Sequence, residues 1–408
     1  MGPCDGIRAI ELGDFQTAPG AGAILGSLGA DVIKIEDPIR GDSFRGLAQM
    51  GEAEMVTAGK HIGFETANLN KRGITLDLKC EKGREIFYKL IDKAEIFYTN
   101  YREKVLKELG ADYETLSQRK PSLIYGVVNT FGSKGSWRER RGYDFLAQGR
   151  SGMMWGMGDR DDPAPTVLYG SFCDESSATM LAFGLVTALL AREKYGIGQK
   201  VECSLYGTMV HTQCMGINVT SIKGRGWSRH SRTRVREPLV NYYKCADNRW
   251  ILLCELRGDE YWSSLARAMG LEELAESQRF AITKNRRENY KELIEILDQT
   301  FATRTLQEWL DIFEKEKLHE AGFSYSPVFT HVDVLNDPQA LENNYIINTT
   351  VPAVGEIKMA GYPISFSNTP AKMKCSAPEF GQHSEEVLIE LLGYDWEKIA
   401  ELKDEKVI

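Results

Sequence analysis

Three runs near the start decide the fold: Ile7-Arg8-Ala9-Ile10-Glu11-Leu12, then Pro19-Gly20-Ala21-Gly22-Ala23-Ile24-Leu25-Gly26-Ser27-Leu28, then Asp31-Val32-Ile33-Lys34-Ile35-Glu36. The first and third are short, apolar and rich in β-branched residues, as strands are. The second opens near a proline, which the first turn of a helix tolerates because its N–H has no partner there. The alternation continues outward. Arg84 to Lys93 reads as a helix, Ala94 to Tyr98 as a strand and Leu123 to Val128 as another. Strands interleaved with helices imply an α/β fold with a parallel sheet covered on both faces.

Gly20-Ala21-Gly22-Ala23-Ile24-Leu25-Gly26 imitates a dinucleotide fingerprint, and Glu36 ends the second strand as a ribose-binding acid does. The register opposes a nicotinamide-dependent oxidoreductase. In a true fingerprint the first glycine follows the strand directly, whereas Asp14-Phe15-Gln16-Thr17-Ala18-Pro19 intervenes here. The glycines then fall inside the helix, where they allow close packing.

The chain has 408 residues, 42% hydrophobic and 26% charged, with a net charge of −8. That length suits two domains or one with an insertion. The acidic balance argues against a general nucleic-acid binder but leaves room for a local basic pocket. No run of 18 apolar residues is present, so no membrane span is expected. Met1-Gly2-Pro3-Cys4-Asp5 lacks a basic segment followed by an apolar one, so no signal peptide is expected. The eight cysteines form no C-x-x-C pair, and no histidine lies at zinc-ligand spacing from two of them. A cytoplasmic protein with buried thiols and no metal is expected.

Gly149 to Tyr169 carries glycines, prolines and methionines and reads as a mobile loop. Its Trp155 and Met157 suggest an apolar or aromatic substrate group. It leads to Gly170-Ser171-Phe172-Cys173-Asp174-Glu175-Ser176-Ser177, where a polar turn enters a long apolar helix. Asp174 thus stands at a helix mouth, where N–H groups and the helix dipole hold negative charge. Asp is also a preferred N-cap. A fixed carboxylate can attack an activated acyl group and form a mixed anhydride. Cys173 beside it reads as a small buried residue. From Ser176 to Glu193 the apolar residues are dense enough for a helix buried on most sides.

Lys223 to Arg236 crowds Arg225, Arg229, His230, Arg232, Arg234 and Arg236 together and reads as a domain crossing. Beyond it a strand (Trp250–Glu255), charged amphipathic helices and a strand (Ser324–Phe329) form a second unit. The expected partition is 1–222 for the N-terminal part of a large domain, 223–328 for a small inserted domain with its linker, and 329–408 for the return to the large domain.

Several segments, taken in order, resemble the class III CoA-transferase family, which includes formyl-CoA transferase and carnitine CoA-transferase. They are Gln16 before Pro19-Gly20, Leu28 to Glu36, Gly41-Asp42, Arg45-Gly46 and Asn70-Lys71-Arg72. Asn100-Tyr101-Arg102 leading to Leu109-Gly110, Gly142-Tyr143-Asp144 with Ala147-Gln148, Gly152, and Gly198-Gln199-Lys200-Val201 follow. The resemblance spans most of the chain and implies an interlocked homodimer. Each chain would have a large Rossmann-like domain and a smaller inserted α/β domain.

The resemblance also implies the chemistry. CoA would move from an acyl-CoA donor to a free carboxylic acid, with CoA a substrate and no cofactor permanently bound. Asp174 falls at the family's nucleophile position, giving an aspartyl anhydride and then an aspartyl-CoA thioester. Gln16 resembles the residue lining that site and would donate to an oxyanion, with backbone N–H groups after Asp174 adding to it. Arg72, Asn100, Arg102 and Arg141 match positions that contact CoA. No general base is required if the aspartate is ionised at neutral pH. Glu108 departs from the family, which often has arginine there. Arg232 to Pro238 lacks the glycines of formyl-CoA transferases, which points toward the carnitine type. The same fold hosts α-methylacyl-CoA racemases, but those carry a histidine base where this chain has Tyr143. Partners expected are therefore acyl-CoA, a carboxylic acid and a second copy of the chain, with no nucleic acid and no membrane.

Overall fold

In the computed structural model the opening pattern becomes one side of a six-stranded parallel sheet. The structure describes residues 1–226 and 228–408; Trp227, within the expected crossing, lies outside the described residues. The strands are β1 (Arg8–Leu12), β2 (Asp31–Glu36), β3 (Lys71–Thr75), β4 (Ile96–Thr99), β5 (Ile124–Asn129) and β6 (Gln199–Ser204). Their order is β6-β5-β4-β1-β2-β3. The chain therefore builds outward from β1 in one direction, then returns to β4 and builds in the other. The turns after β1 and β4 diverge, which opens a crevice at the carboxyl ends of these two strands.

Both faces of the sheet are covered. Helix α1 (Thr17–Ser27) and helix α4 (Phe172–Tyr195) bury Leu25, Leu181 and Leu185 against one face. Helix α2 (Glu81–Asp92) and two C-terminal helices, Ser384–Leu392 and Trp396–Asp404, bury Phe87, Leu90, Val387 and Ile399 on the other. Helix α3 (Asp144–Arg150) lies before α4 in the chain. The fingerprint-like glycines sit inside α1, as their register requires. A Cβ on Gly22 would run into the Tyr98 hydroxyl and the Glu11 carboxylate.

Strand β3 was not legible as a strand because Lys71 and Arg72 open it. Its lysine is buried all the same: Lys71 Nζ lies 2.8 Å from Glu11 Oε2, and Lys34 Nζ lies 3.0 Å from Glu11 Oε1 and 2.8 Å from Asp42 Oδ2. Burial pushes the Glu11 carboxyl up, but Lys71 and Lys34 overcome this and hold it at about 2. Helix α4 also departs from expectation. Ala178, Leu181, Ala182 and Leu185 are buried, whereas Phe183 and Leu190 are 65% and 69% exposed. By length and composition α4 could cross a membrane. Its packing on β5, β6 and α1 instead makes it a core helix with one uncovered apolar stripe.

The chain divides into two units. One comprises 1–154, 167–225 and 338–408 and holds the parallel sheet; the other comprises 155–166 and 226–337. The expected partition changed units at 222–223 and 328–329 and left 155–166 with the large domain. The second unit has an antiparallel sheet of β7 (Val240–Lys244), β8 (Trp250–Cys254) and β9 (Tyr325–Pro327). Its core is aromatic, with Trp262, Phe280, Phe301 and Trp309 buried.

Candidate active site

Asp174 is the third residue of α4, so it does not cap the helix. The N-cap is Ser171, which has φ 57° and makes no side-chain cap bond. The cap comes from elsewhere in the chain. Asp144 Oδ2 accepts the backbone N–H of Cys173 at 2.6 Å and of Asp174 at 3.1 Å. The other oxygen of Asp144 accepts from Gln148 Nε2 at 2.5 Å, and Gln148 is clamped on the Leu168 backbone at 2.6 and 2.9 Å. A buried carboxylate at a helix N-terminus is stabilised by the aligned N–H groups. This one also sets where α4 begins.

The Asp174 side chain meets the turn that follows β1. The Thr17 hydroxyl donates to its Oδ1. That turn is held tightly. Phe15 has φ 59°, a left-handed conformation costly for a residue with a bulky side chain. Its N–H donates to Asp14 Oδ1 at 3.1 Å and to Asp42 Oδ1 at 3.3 Å. Asp42 is anchored in turn on the buried Lys34. The two residues with strained backbone that flank the site, Phe15 and Ser171, thus present Thr17 and Asp174 to each other.

Loss of hydration pushes the Asp174 carboxyl up to about 7, and the charges of Asp144 and Glu175 add to this against the Thr17 hydrogen bond. The expectation of a fully ionised aspartate at neutral pH is corrected accordingly: protonated and ionised forms are comparably populated near pH 7. Cys173 is fully buried, and burial pushes its thiol up to about 12, which makes it inert.

A cavity of about 1120 Å³ opens at the strand ends, and Asp174, Gln16, Thr17, Asn100, Arg102 and Arg141 all contribute to its wall. Asp14 and Asn100 bridge its floor between the turns after β1 and β4: Asp14 N–H donates to Asn100 Oδ1 at 3.0 Å, and Asn100 Nδ2 donates to the Asp14 carbonyl at 2.6 Å. Arg102 and Arg141 are exposed cations on the wall. Tyr143, where a racemase carries histidine, packs edge-on against Phe15 at 6.1 Å. Glu108 lines the cavity too.

Three expectations are corrected by this geometry. Arg72 is absent from the cavity. It is the second residue of β3, near the amino end of the strand, and its guanidinium is committed to Asp31, Glu386 and Glu390 at 2.6, 3.1 and 2.6 Å. Gln16 is at the site, but its amide donates to Glu175. The backbone N–H groups nearest the nucleophile are also engaged, those of Cys173 and Asp174 by Asp144, and that of Glu175 by the Ser171 carbonyl at 2.9 Å. Trp155 and Met157 fall in the second unit, which begins at Trp155. Sequence reading missed Thr17 and the role of Asp144. The i, i+4 spacing of Asp144 and Gln148 is the one local signal that pointed to the latter.

The family model of CoA-transferase family III matches residues 4–384 of the chain. The (R)-2-hydroxy-4-methylpentanoate CoA-transferase of Clostridioides difficile is 31% identical over 405 residues, covering 99% of both chains. The cinnamoyl-CoA:phenyllactate CoA-transferase of Clostridium sporogenes is 30% identical over 406 residues, covering 99% of this chain and 96% of that one. Among solved structures, a CAIB/BAIF family protein from Brucella suis superposes with a TM-score of 0.82 at 28% identity, over 96% of this chain and 99% of that one.

Proposed function

We propose a mechanism for a chain that belongs to CoA-transferase family III and transfers CoA between acyl-CoA donors and carboxylic acids. Asp174 attacks the thioester carbonyl of the donor, and collapse of the tetrahedral adduct breaks the C–S bond, expelling CoA thiolate and leaving an aspartyl anhydride. The thiolate then attacks the aspartyl carbonyl, releasing the donor acid and leaving an aspartyl-CoA thioester. The acceptor carboxylate runs the sequence in reverse. An anhydride keeps the acyl group activated throughout, which a serine ester would not. The observation that carries this reading is a half-buried carboxylate in a large cavity at the sheet's switch point, with its backbone seated by Asp144 and one oxygen held by Thr17.

Arg102 and Arg141 suit the phosphates of CoA, being exposed guanidinium groups on the cavity wall. The acceptor class is a 2-hydroxy acid with an apolar side chain. Both relatives described above carry such an acid in their names, and apolar Phe15, Phe44 and Leu47 line part of the cavity. The working form is a homodimer, which would cover the exposed stripe of Met180, Phe183 and Leu190 on α4. A cytoplasmic setting fits eight cysteines that are all free thiols.

The test is mass spectrometry of the protein after incubation with cinnamoyl-CoA, succinyl-CoA or acetyl-CoA, followed by hydroxylamine or borohydride. Modification lands on Asp174. Labelling of another residue with Asp174 untouched would reject the mechanism.

A further inference from the structure

A nucleophilic aspartate that passes through an anhydride becomes an electrophile in the next step. When CoA thiolate attacks Cγ of Asp174, the aspartyl carbonyl oxygen takes up an electron pair and needs a hydrogen-bond donor. The donors expected from the sequence are occupied. The N–H groups of Cys173 and Asp174 go to Asp144 at 2.6 and 3.1 Å, that of Glu175 goes to Ser171 at 2.9 Å, and the Gln16 amide goes to Glu175. One donor already rests on the carboxylate: the Thr17 hydroxyl, on Oδ1. Thr17 is 5% exposed and opens α1, and its approach is set by the turn pinned through Asp42 to Lys34. A donor held before the reaction in a place with little water costs no reorganisation when charge develops.

We propose that Thr17 is a catalytic residue of this transferase, its hydroxyl serving as the oxyanion donor at Oδ1 of Asp174 when the aspartyl carbonyl is attacked. The inference rests on the covalent reading of Asp174. Oδ2 first bonds to the donor's acyl carbon, the C–S bond breaks, and CoA leaves as thiolate. The thiolate sulfur next bonds to Cγ, and the carbonyl electron pair moves onto Oδ1. Collapse restores the carbonyl and breaks the Cγ–Oδ2 bond, so the donor acid departs as a carboxylate that carries Oδ2. No proton changes hands. The Thr17 proton stays on Thr17, and its bond to Oδ1 strengthens as that atom gains full charge. The same donor serves when the acceptor carboxylate attacks the thioester.

Two measurements on Thr17→Val, Thr17→Ala and Thr17→Ser test this. The first needs no substrate: NMR titration of protein labelled with [γ-13C]aspartate, with Asp174 assigned by Asp174→Asn. The groups facing Asp174 are Thr17 from α1, Asp144 from α3 and Glu175 from α4. None of these variants adds or removes a charge: Thr17→Val swaps the hydroxyl for a methyl, Thr17→Ala removes both branches, and Thr17→Ser keeps the hydroxyl. Its bond favours the ionised form, so the Asp174 midpoint rises in Thr17→Val and Thr17→Ala and returns in Thr17→Ser. The second is the rate of aspartyl-CoA thioester formation in single turnover, read by intact mass, with whichever of cinnamoyl-CoA, succinyl-CoA and acetyl-CoA the wild-type protein accepts. Thr17→Val and Thr17→Ala slow it on the order of 10²-fold, with donor KM nearly unchanged, and Thr17→Ser recovers most of the rate. Thioester formation at the wild-type rate in the two variants lacking the hydroxyl, or an unmoved Asp174 midpoint, overturns the role of Thr17 alone. A wild-type protein with no adduct on Asp174 overturns the covalent reading as well.

Discussion

Asp144 Oδ2 accepts the backbone N–H of Asp174 at 3.1 Å, so one carboxylate seats another across 30 residues of sequence. The contact has two opposite effects. The helix N-terminus welcomes the Asp144 charge, while that charge makes the Asp174 side chain hold its proton more tightly. Asp144→Asn keeps an acceptor oxygen but removes the charge. The acid limb of the pH–rate profile therefore moves to lower pH, with the fold intact. Asp144→Ala removes the cap itself and costs about 1 kcal/mol of stability. Steady-state pH profiles and denaturant melts of the two variants separate these effects.

The proton affinity of Asp174 sets a pH dependence. Only the ionised form attacks, so acylation by a CoA ester is half-maximal at about pH 7 and rises above it. The stability effect has the opposite sign. The folded-state pKa of about 7 lies above the ordinary value of 3.8, so the folded protein binds more protons than the unfolded chain between these values, and stability falls as pH rises through that window. Asp174→Asn should thus melt at a higher temperature than wild type at pH 8 while losing on the order of 10⁶-fold in turnover. A lower melting temperature at pH 8 would contradict the assigned burial cost.

Glu11 behaves in the other direction. Its carboxyl is held at about 2 between two buried lysines, so its contribution to stability is complete above the ordinary value of 4.5 and is lost as pH falls toward 2. Glu11→Gln leaves Lys34 and Lys71 buried with their shared countercharge gone, at a cost of about 3–5 kcal/mol. Urea unfolding at pH 7 measures it. Because Lys34 also anchors Asp42, the Phe15–Thr17 turn loosens and kcat falls with stability.

Arg72 and Arg141 separate by location. Arg141→Ala and Arg102→Ala raise the KM for CoA esters with little change in kcat, as loss of uniform binding does, and the effect shrinks as salt is added. Arg72→Ala leaves that KM unchanged, because its guanidinium is spent on Asp31, Glu386 and Glu390. Its cost appears in stability, at about 1 kcal/mol for a partly exposed network. Steady-state kinetics at two ionic strengths check both.

Much of this was legible in the chain. Apolar periodicity placed β1, α1 and β2, and the spacing between β1 and the glycines correctly kept those glycines inside a helix. Strand β3 was not legible, because its lysine is buried by pairing with Glu11 and hydropathy cannot register a paired charge. The exposed side of α4 was hidden for a similar reason: an apolar helix reads alike whether its second face meets its own chain or is left uncovered.

Order of elements, the parallel sheet and the aspartate at the mouth of a long helix follow from local pattern, since strand and helix periodicities are properties of neighbouring residues. The proton affinity of that aspartate, and which donors near it are spent, were settled only by tertiary structure. Thr17 and Asp174 are 157 residues apart, and desolvation and hydrogen bonding act through distance in space, which no local window of sequence contains.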